Sequence, residues 1–182
     1  MTTRNFESPD ELAIWLAAAG IDTTHWGSGQ SKRLADLWLE YTNGESAFTA
    51  EPPTREVTVV QVIIRRGEAT LVELAQEMVD GRRRIRMRPP SEKVKPGETA
   101  RSAALRCLRE ELDLAAGEVM METEGVDFER VEDSPSYPGL PTRYRFYRFH
   151  AAAAGLPDED FTRENVDDGD PIRRHQWGWR KR

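Results

Sequence analysis

Cysteine is almost absent: Cys107 is the only one in 182 residues. A single thiol excludes an intramolecular disulfide and any metal cage built on thiolates alone. Long apolar runs are missing as well. The longest, Val57 to Ile64, is interrupted by Thr58 and Gln61 and falls well short of the roughly 18 residues that span a bilayer. The opening stretch MTTRNFESPDE has no basic start followed by an apolar segment, so no secretory signal is read and a cytoplasmic protein is expected. Repeats, low-complexity tracts and an obvious flexible linker are lacking too. With 38% hydrophobic and 32% charged residues, the composition excludes collagen-like and wholly disordered chains. A chain of this length can bury about 70% of its surface, enough for one domain with a modest extension.

The net charge of −6 is unevenly spread. Residues 1–54 and 107–170 are acidic, whereas 55–101 and 171–182 are basic. No contiguous positive face of the kind that duplex DNA requires is implied. Carboxylates that hold divalent cations beside arginines that hold an anionic ligand fit this distribution. Solvated faces of a hydrophilic protein fit it too.

Ser8-Pro9-Asp10-Glu11 is a capping box that predicts a helix from Pro9 to about Ala19, stopped at Gly20. A second helix is expected from near Ser31 to Asn43-Gly44. These two helices form a predicted N-terminal extension, residues 1–50, packed on a main domain, residues 51–182. They carry no evident chemistry, and His25 in the loop between them reads as surface or capping. Arg55 to Arg66 is apolar on both faces, as in a buried central strand, and Thr70 to Val79 returns after a turn. Asp80-Gly81 signals a hairpin, after which Arg82, Arg84, Arg86 and Arg88 alternate with Ile85 and Met87. A helix is expected from about Glu98 to Leu112, with Ala104, Leu105, Leu108 and Leu112 inward. Strands follow near Phe128–Glu132, Arg143–Ala151 and Ile172–Trp179, with loops at residues 134–139 and 157–171. The order predicts an α/β or α+β fold with a mixed sheet.

The chemistry concentrates in the third helix. Glu110 and Glu111 are adjacent acids on a helix whose other face is apolar, Glu98 lies at the helix start where the dipole favours a carboxylate, and Arg106 stands four residues before Glu110, close enough to orient it. Two carboxylates plus substrate phosphates suffice for Mg²⁺. A surface helix with ordinary ion pairs uses the same residues.

The segment Gly97 to Leu114 resembles the Nudix box, whose pattern is Gly, five residues, Glu, seven residues, Arg-Glu-aliphatic-X-Glu-Glu-X-Gly-aliphatic. Glu98, Arg106, Leu108, Glu110, Glu111 and Leu114 occupy matching positions, and Pro90 to Gly97 resembles the loop that leads into the box. The resemblance spans about residues 55–179. It implies a Nudix fold sandwich with two additional N-terminal helices and no clear C-terminal helix. It also implies a pyrophosphohydrolase acting on a nucleoside diphosphate derivative or related organic diphosphate. Glu110 and Glu111 would bind Mg²⁺ or Mn²⁺, Glu98 would complete or support the cluster, and Arg106 would orient a glutamate. Arg84, Arg86, Arg88 and Lys93 would grip the diphosphate. The expected partner is a small-molecule diphosphate; a membrane and duplex DNA are not expected, and a homodimer is compatible with the sequence.

Three positions depart from the pattern. Glu92 and Asp113 replace the two glycines. Cys107 replaces a glutamate that in the family holds a metal or activates water, and a thiol serves poorly as an Mg²⁺ ligand or as a base at neutral pH. Asp158, Glu159, Asp160, Glu164, Asp167, Asp168 and Asp170 are candidate substitutes. Trp177 and Trp179 would stack a base or pack the core, and Tyr144 and Phe146 are equally ambiguous. The substitution at 107 leaves two further readings open: a catalytically impaired ligand-binding module, or a biosynthetic enzyme of altered, non-hydrolytic chemistry.

Overall fold

The computed structural model describes residues 2–122, 125–165 and 170–181. Its elements in chain order are α1 (Pro9–Ala18), α2 (Leu34–Thr42), β1 (Ala47–Ala50), β2 (Pro53–Arg66), β3 (Ala69–Met78), β4 (Arg83–Arg88), β5 (Ser91–Lys93), α3 (Ala100–Leu112), β6 (Val119–Met121), β7 (Val126–Ser134), β8 (Tyr137–Ala153), β9 (Phe161–Glu164) and β10 (Ile172–Lys181). This is the mixed α+β architecture expected, with two helices ahead of the sheet. Among the described residues no α-helix follows α3, and no helix is long and apolar enough to cross a membrane. The chain divides into two compact units, residues 1–58 with 128–145 and residues 59–127 with 146–182.

In the first unit, α1 begins as the capping box predicts, with Ser8 Oγ accepting the Glu11 N–H at 3.2 Å and Pro9 in the first turn. Gly20 ends it at φ 75°. The second helix starts at Leu34, later than expected. Asp36 accepts the Arg33 backbone N–H at 2.7 Å and so caps the turn there, while the Ser31 hydroxyl donates to the Ser28 carbonyl in the preceding loop. Leu12, Leu16, Leu37, Phe48 and Tyr137 are fully buried together. Beside them Arg55 reaches Glu40 at 2.6 Å and Lys32 reaches it at 3.0 Å, both across little-exposed surface. The loop expected at 134–139 shrinks to a turn at Pro135-Ser136. Tyr137 and Leu140 carry the chain into the helix core, so the backbone is already extended there.

The second unit holds strands in the order β6-β8-β2-β3-β10-β9, with β5 added on β2 and β4 on β3. Val60, Val62, Ile64, Leu71 and Trp177 pack with Ala103, Ala104, Leu108 and Leu112 of α3 to form its core. The stretch 157–171 is not all loop. Residues 161–164 form β9, because Phe161, Thr162, Arg163 and Glu164 pair with β10 residues Trp177 to Arg174. Asp167 and Asp168 lie outside the described residues. The hairpin at Asp80-Gly81 is present, with Gly81 at φ 83°. It sets β4 so that Arg84 turns inward and Ile85 and Met87 face outward.

Candidate functional site

The third helix opens where Thr99 Oγ1 accepts the Ser102 N–H at 3.1 Å, two residues beyond the expected start, and Glu98 therefore precedes the helix. It closes on Asp113 at φ 57°, ψ 38°, with the Asp113 N–H donating to the Arg109 carbonyl. A left-handed residue after the last turn is the usual way of satisfying terminal carbonyls, and glycine takes that conformation at least cost. Asp113 keeps the conformation without the glycine. Ala103, Ala104, Cys107, Leu108, Glu111 and Leu112 form the buried face.

Arg106 gathers the carboxylates along one side. Its Nε and Nη2 donate to the two oxygens of Glu98, both at 3.0 Å, its Nη1 donates to Glu110 Oε2 at 3.2 Å, and Nη2 also reaches the Lys93 carbonyl at 2.7 Å. Glu92 Oε2 lies 3.8 Å from the same guanidinium. A planar fork with several donors is the one side chain that can hold this arrangement. The Arg106 hydrogen bonds hold Glu98 below the usual carboxylate range, and burial opposes them only partly. Burial likewise works against the Arg106 charge, yet Glu98, Glu92 and Glu110 keep it firmly protonated. Arg109 Nη2 adds a bond to Glu110 at 3.0 Å.

Adjacent positions on a helix point about 100° apart, and Glu110 and Glu111 diverge accordingly. Glu110 turns to Arg106, whereas Glu111 turns inward beside Cys107, one turn earlier on the same face. Burial pushes the Glu111 carboxyl well above its usual range, and the negative charges of Glu73 and Glu92 push further. Cys107 has no solvent exposure, and burial, with Glu111 and Glu92 nearby, drives its thiol far up. Glu92, where the box has its first glycine, is raised chiefly by burial, and Asp170 adds to the effect.

Beneath this helix lies a polar group that sequence reading did not single out. Glu73 on β3 is 4% exposed. Its Oε1 is 2.6 Å from His175 Nδ1, and its Oε2 accepts from Gln76 Nε2 at 3.1 Å and Arg86 Nε at 3.2 Å. Burial alone would raise this carboxyl, but the His175 bond, the Arg86 charge and the Gln76 bond together hold it below its ordinary value. The only sequence signal was Glu73 and Gln76 set among the apolar Leu71, Val72, Leu74 and Ala75 of the strand.

Arg84 is 3% exposed and donates to Gln76 Oε1 at 3.3 Å, so it lies inside this network. Arg86, Arg88 and Lys93 are half-buried. The loop acids are dispersed: Asp158 pairs with Arg66, Asp160 with Arg180, and Glu164 with Arg174. Asp170 accepts the Ile172 N–H. Glu159 is exposed. Trp177 is core, and Trp179 donates to the Pro157 carbonyl at 2.8 Å under the Arg66 guanidinium. Phe146 is buried, and the Tyr144 hydroxyl donates to Ser134.

Hard oxygen donors suit Mg²⁺ or Mn²⁺, and Glu92, Glu110 and Glu111 supply that chemistry. Among the described residues, however, no three His, Cys, Asp or Glu side chains are already gathered to hold an ion. Arg106 holds Glu98 and Glu110 in this state.

No curated protein matches the chain. Among solved structures it is similar to a NUDIX hydrolase from Nitrosomonas europaea, at 17% identity over 66% of this chain and 70% of that one with a TM-score of 0.41. It is similar also to the E. coli dihydroneopterin triphosphate pyrophosphohydrolase, at 21% identity, 66% and 78% coverage and a TM-score of 0.37. A C. elegans Ap4A hydrolase gives 14%, 69% and 79%, and 0.39. The NUDIX domain family model matches residues 52–177, a segment that takes in the Arg106-centred carboxylates and the buried Glu73 group alike. The chain belongs to the NUDIX domain family.

Proposed function

We propose that the chain is a metal-dependent pyrophosphohydrolase that cleaves a diphosphate linkage in a nucleoside diphosphate derivative or related organic diphosphate. The observation that carries this reading is the Arg106 guanidinium holding Glu98 and Glu110 at 3.0 and 3.2 Å on a helix whose inner face presents Glu111. Glu110 and Glu111 would hold Mg²⁺ or Mn²⁺, which when bound neutralises phosphate charge and acidifies the attacking water. Glu98 anchors Arg106, and Arg106 sets the direction of Glu110. Arg86, Arg88 and Lys93, each half-buried, would grip the diphosphate, while the buried Arg84 would support them through Gln76.

A second reading has one observation in its favour. Position 107 holds a fully buried thiol whose ionisation is suppressed, so the box lacks one acid, and a ligand-binding module without turnover results if nothing replaces it. The same burial argues against a reactive thiol and hence against thiol-based altered chemistry. The deciding experiment offers a panel of nucleotide and other organic diphosphates to the full chain with Mg²⁺, with Mn²⁺ and with chelator. Metal-dependent release of two phosphorylated products supports the hydrolase. Tight binding with no product under either metal sinks it in favour of the binding module.

A further inference from the structure

The box leaves a vacancy in function, since Cys107 is no base, yet the layer beneath α3 contains an oriented imidazole. We propose that His175, held by Glu73, is the proton acceptor of this site, and that Arg86 couples the pair to a bound diphosphate. The inference rests on the hydrolase reading.

Three observations carry it. First, the pair is built rather than incidental. His175 is 2% exposed, its Nδ1 lies 2.6 Å from Glu73 Oε1, and its Nε2 is buried with no hydrogen-bond partner among the described residues. A carboxylate at Nδ1 fixes the tautomer that leaves Nε2 with its lone pair, the arrangement used by imidazole bases. A buried acceptor left unpaired costs free energy, which a ligand-delivered proton donor would relieve.

Second, strand alternation places the pair on the helix side of the sheet. Leu71 packs against α3, and Glu73, two residues along β3, shares that face. Trp177 packs there from β10, in register with Glu73.

Third, the network ends on residues suited to phosphate. Arg86 Nε donates to Glu73 Oε2 at 3.2 Å. A diphosphate that recruits Arg86 removes one of the counter-charges on Glu73, and the carboxylate then holds a proton on His175 more strongly. The other charged groups facing the pair are Arg84 on β4, Arg88 paired with Glu73 on the same strand, Arg163 opposite His175 on β9, and Glu111 on α3. Arg86 bonds Glu73 directly and keeps part of its side chain exposed.

In the reaction, a water O–H bond breaks and its proton passes to His175 Nε2. The water oxygen forms a bond to phosphorus, and the bridging P–O bond breaks with its electron pair leaving on the departing phosphate. The imidazolium, stabilised by Glu73, returns the proton afterwards. His175 is the catalytic residue and Arg86 binds the substrate; Glu73 is the positioning residue.

The test follows the His175 ring nitrogens by nitrogen-15 NMR, assigned by their loss in His175→Gln, during titration of the full chain with non-hydrolysable methylenediphosphonate. Saturation should raise the proton affinity of His175 about tenfold, one unit in its midpoint. The rise should vanish in Arg86→Gln and in Glu73→Gln. The acid limb of kcat/KM against pH should move in Glu73→Gln, and His175→Gln should lose about 10²–10⁴ in kcat on a processed diphosphate. If the diphosphonate binds and His175 titrates unchanged, or if His175→Gln keeps wild-type kcat, the dyad is overturned while the hydrolase reading stands. If the wild type neither binds diphosphonate nor hydrolyses any diphosphate, the hydrolase reading itself fails and takes the dyad with it.

Discussion

Cys107→Glu restores the box residue, and the structure sets a cost on doing so. Cys107 has no exposure and shares the inner face of α3 with Ala103, Ala104 and Leu108. A larger side chain in such a place costs about 1–3 kcal/mol from overpacking. Its carboxylate would also meet Glu111, one turn away. Burial already favours the neutral Glu111, so the added cost is that of ionising beside it, up to the roughly 3 kcal/mol by which two charges about 5 Å apart repel at an effective dielectric of about 20. The metal-free variant should therefore lose on the order of 4 kcal/mol near neutral pH, a fall in Tm of about 10 °C for a chain of this size. The loss should depend on pH. A carboxyl whose folded-state pKa lies above its unfolded value of about 4.3 keeps an extra proton in the folded chain between the two values. Stability then falls as pH rises through that window, by up to about 1.4 kcal/mol per pH unit. Near pH 5 the packing cost should dominate, with about 1 kcal/mol or less of the charge cost left. Thermal unfolding of wild type and variant, in chelator and in excess Mn²⁺, at about pH 5 and about pH 8, reads each part separately. Mn²⁺ should recover the electrostatic part, and turnover of any diphosphate the wild type processes should rise by about 10-fold or more. A variant as stable as wild type in chelator near pH 8 would refute the burial of position 107 beside Glu111. Equal loss at both pH values would refute the charge argument.

Two further outcomes are expected. Asp113→Gly should raise stability by about 0.5–1 kcal/mol, because the φ of 57° is strained for a residue with a Cβ; an unchanged or lower Tm in thermal unfolding counts against it. Arg106→Lys should lower stability by about 3 kcal/mol and weaken Mn²⁺ binding by calorimetry, since an ammonium cannot bridge Glu98 and Glu110 together; wild-type behaviour in both would remove Arg106 as the organiser.

What was legible in the sequence was local. The capping box at Ser8, the third helix ending at Leu112 and the alternation of Arg84 and Arg86 with Ile85 and Met87 follow from residues near one another in the chain, although which of the two faces of β4 turns inward does not. The spacing that relates Glu98, Arg106 and Glu110 is of the same kind, and the structure brings those three together. Short strands such as β1, β5, β6 and β9 were not legible, because three or four residues become a strand only when a partner fixes them. The Glu73–His175 contact joins residues 102 apart. It depends on the register of β10 against β3, including a bulge between Gln176 and Trp177, and no periodicity announces that.

The outward face of β4 has a consequence for handling the protein. Among the described residues this strand pairs with β3 alone, and it presents Ile85 and Met87, each about half exposed. An edge strand carrying apolar side chains is a template for association with other chains. Arg86 and Arg88, partly exposed on the same strand, act as gatekeepers, since their repulsion opposes stacking of one edge on another. Neutralising Arg86 or Arg88 to probe phosphate binding therefore also removes a solubility device. Light scattering on each such variant separates a lost contact from a lost monomer, and Ile85→Thr, placed on the same edge, should restore the monomer without restoring the contact.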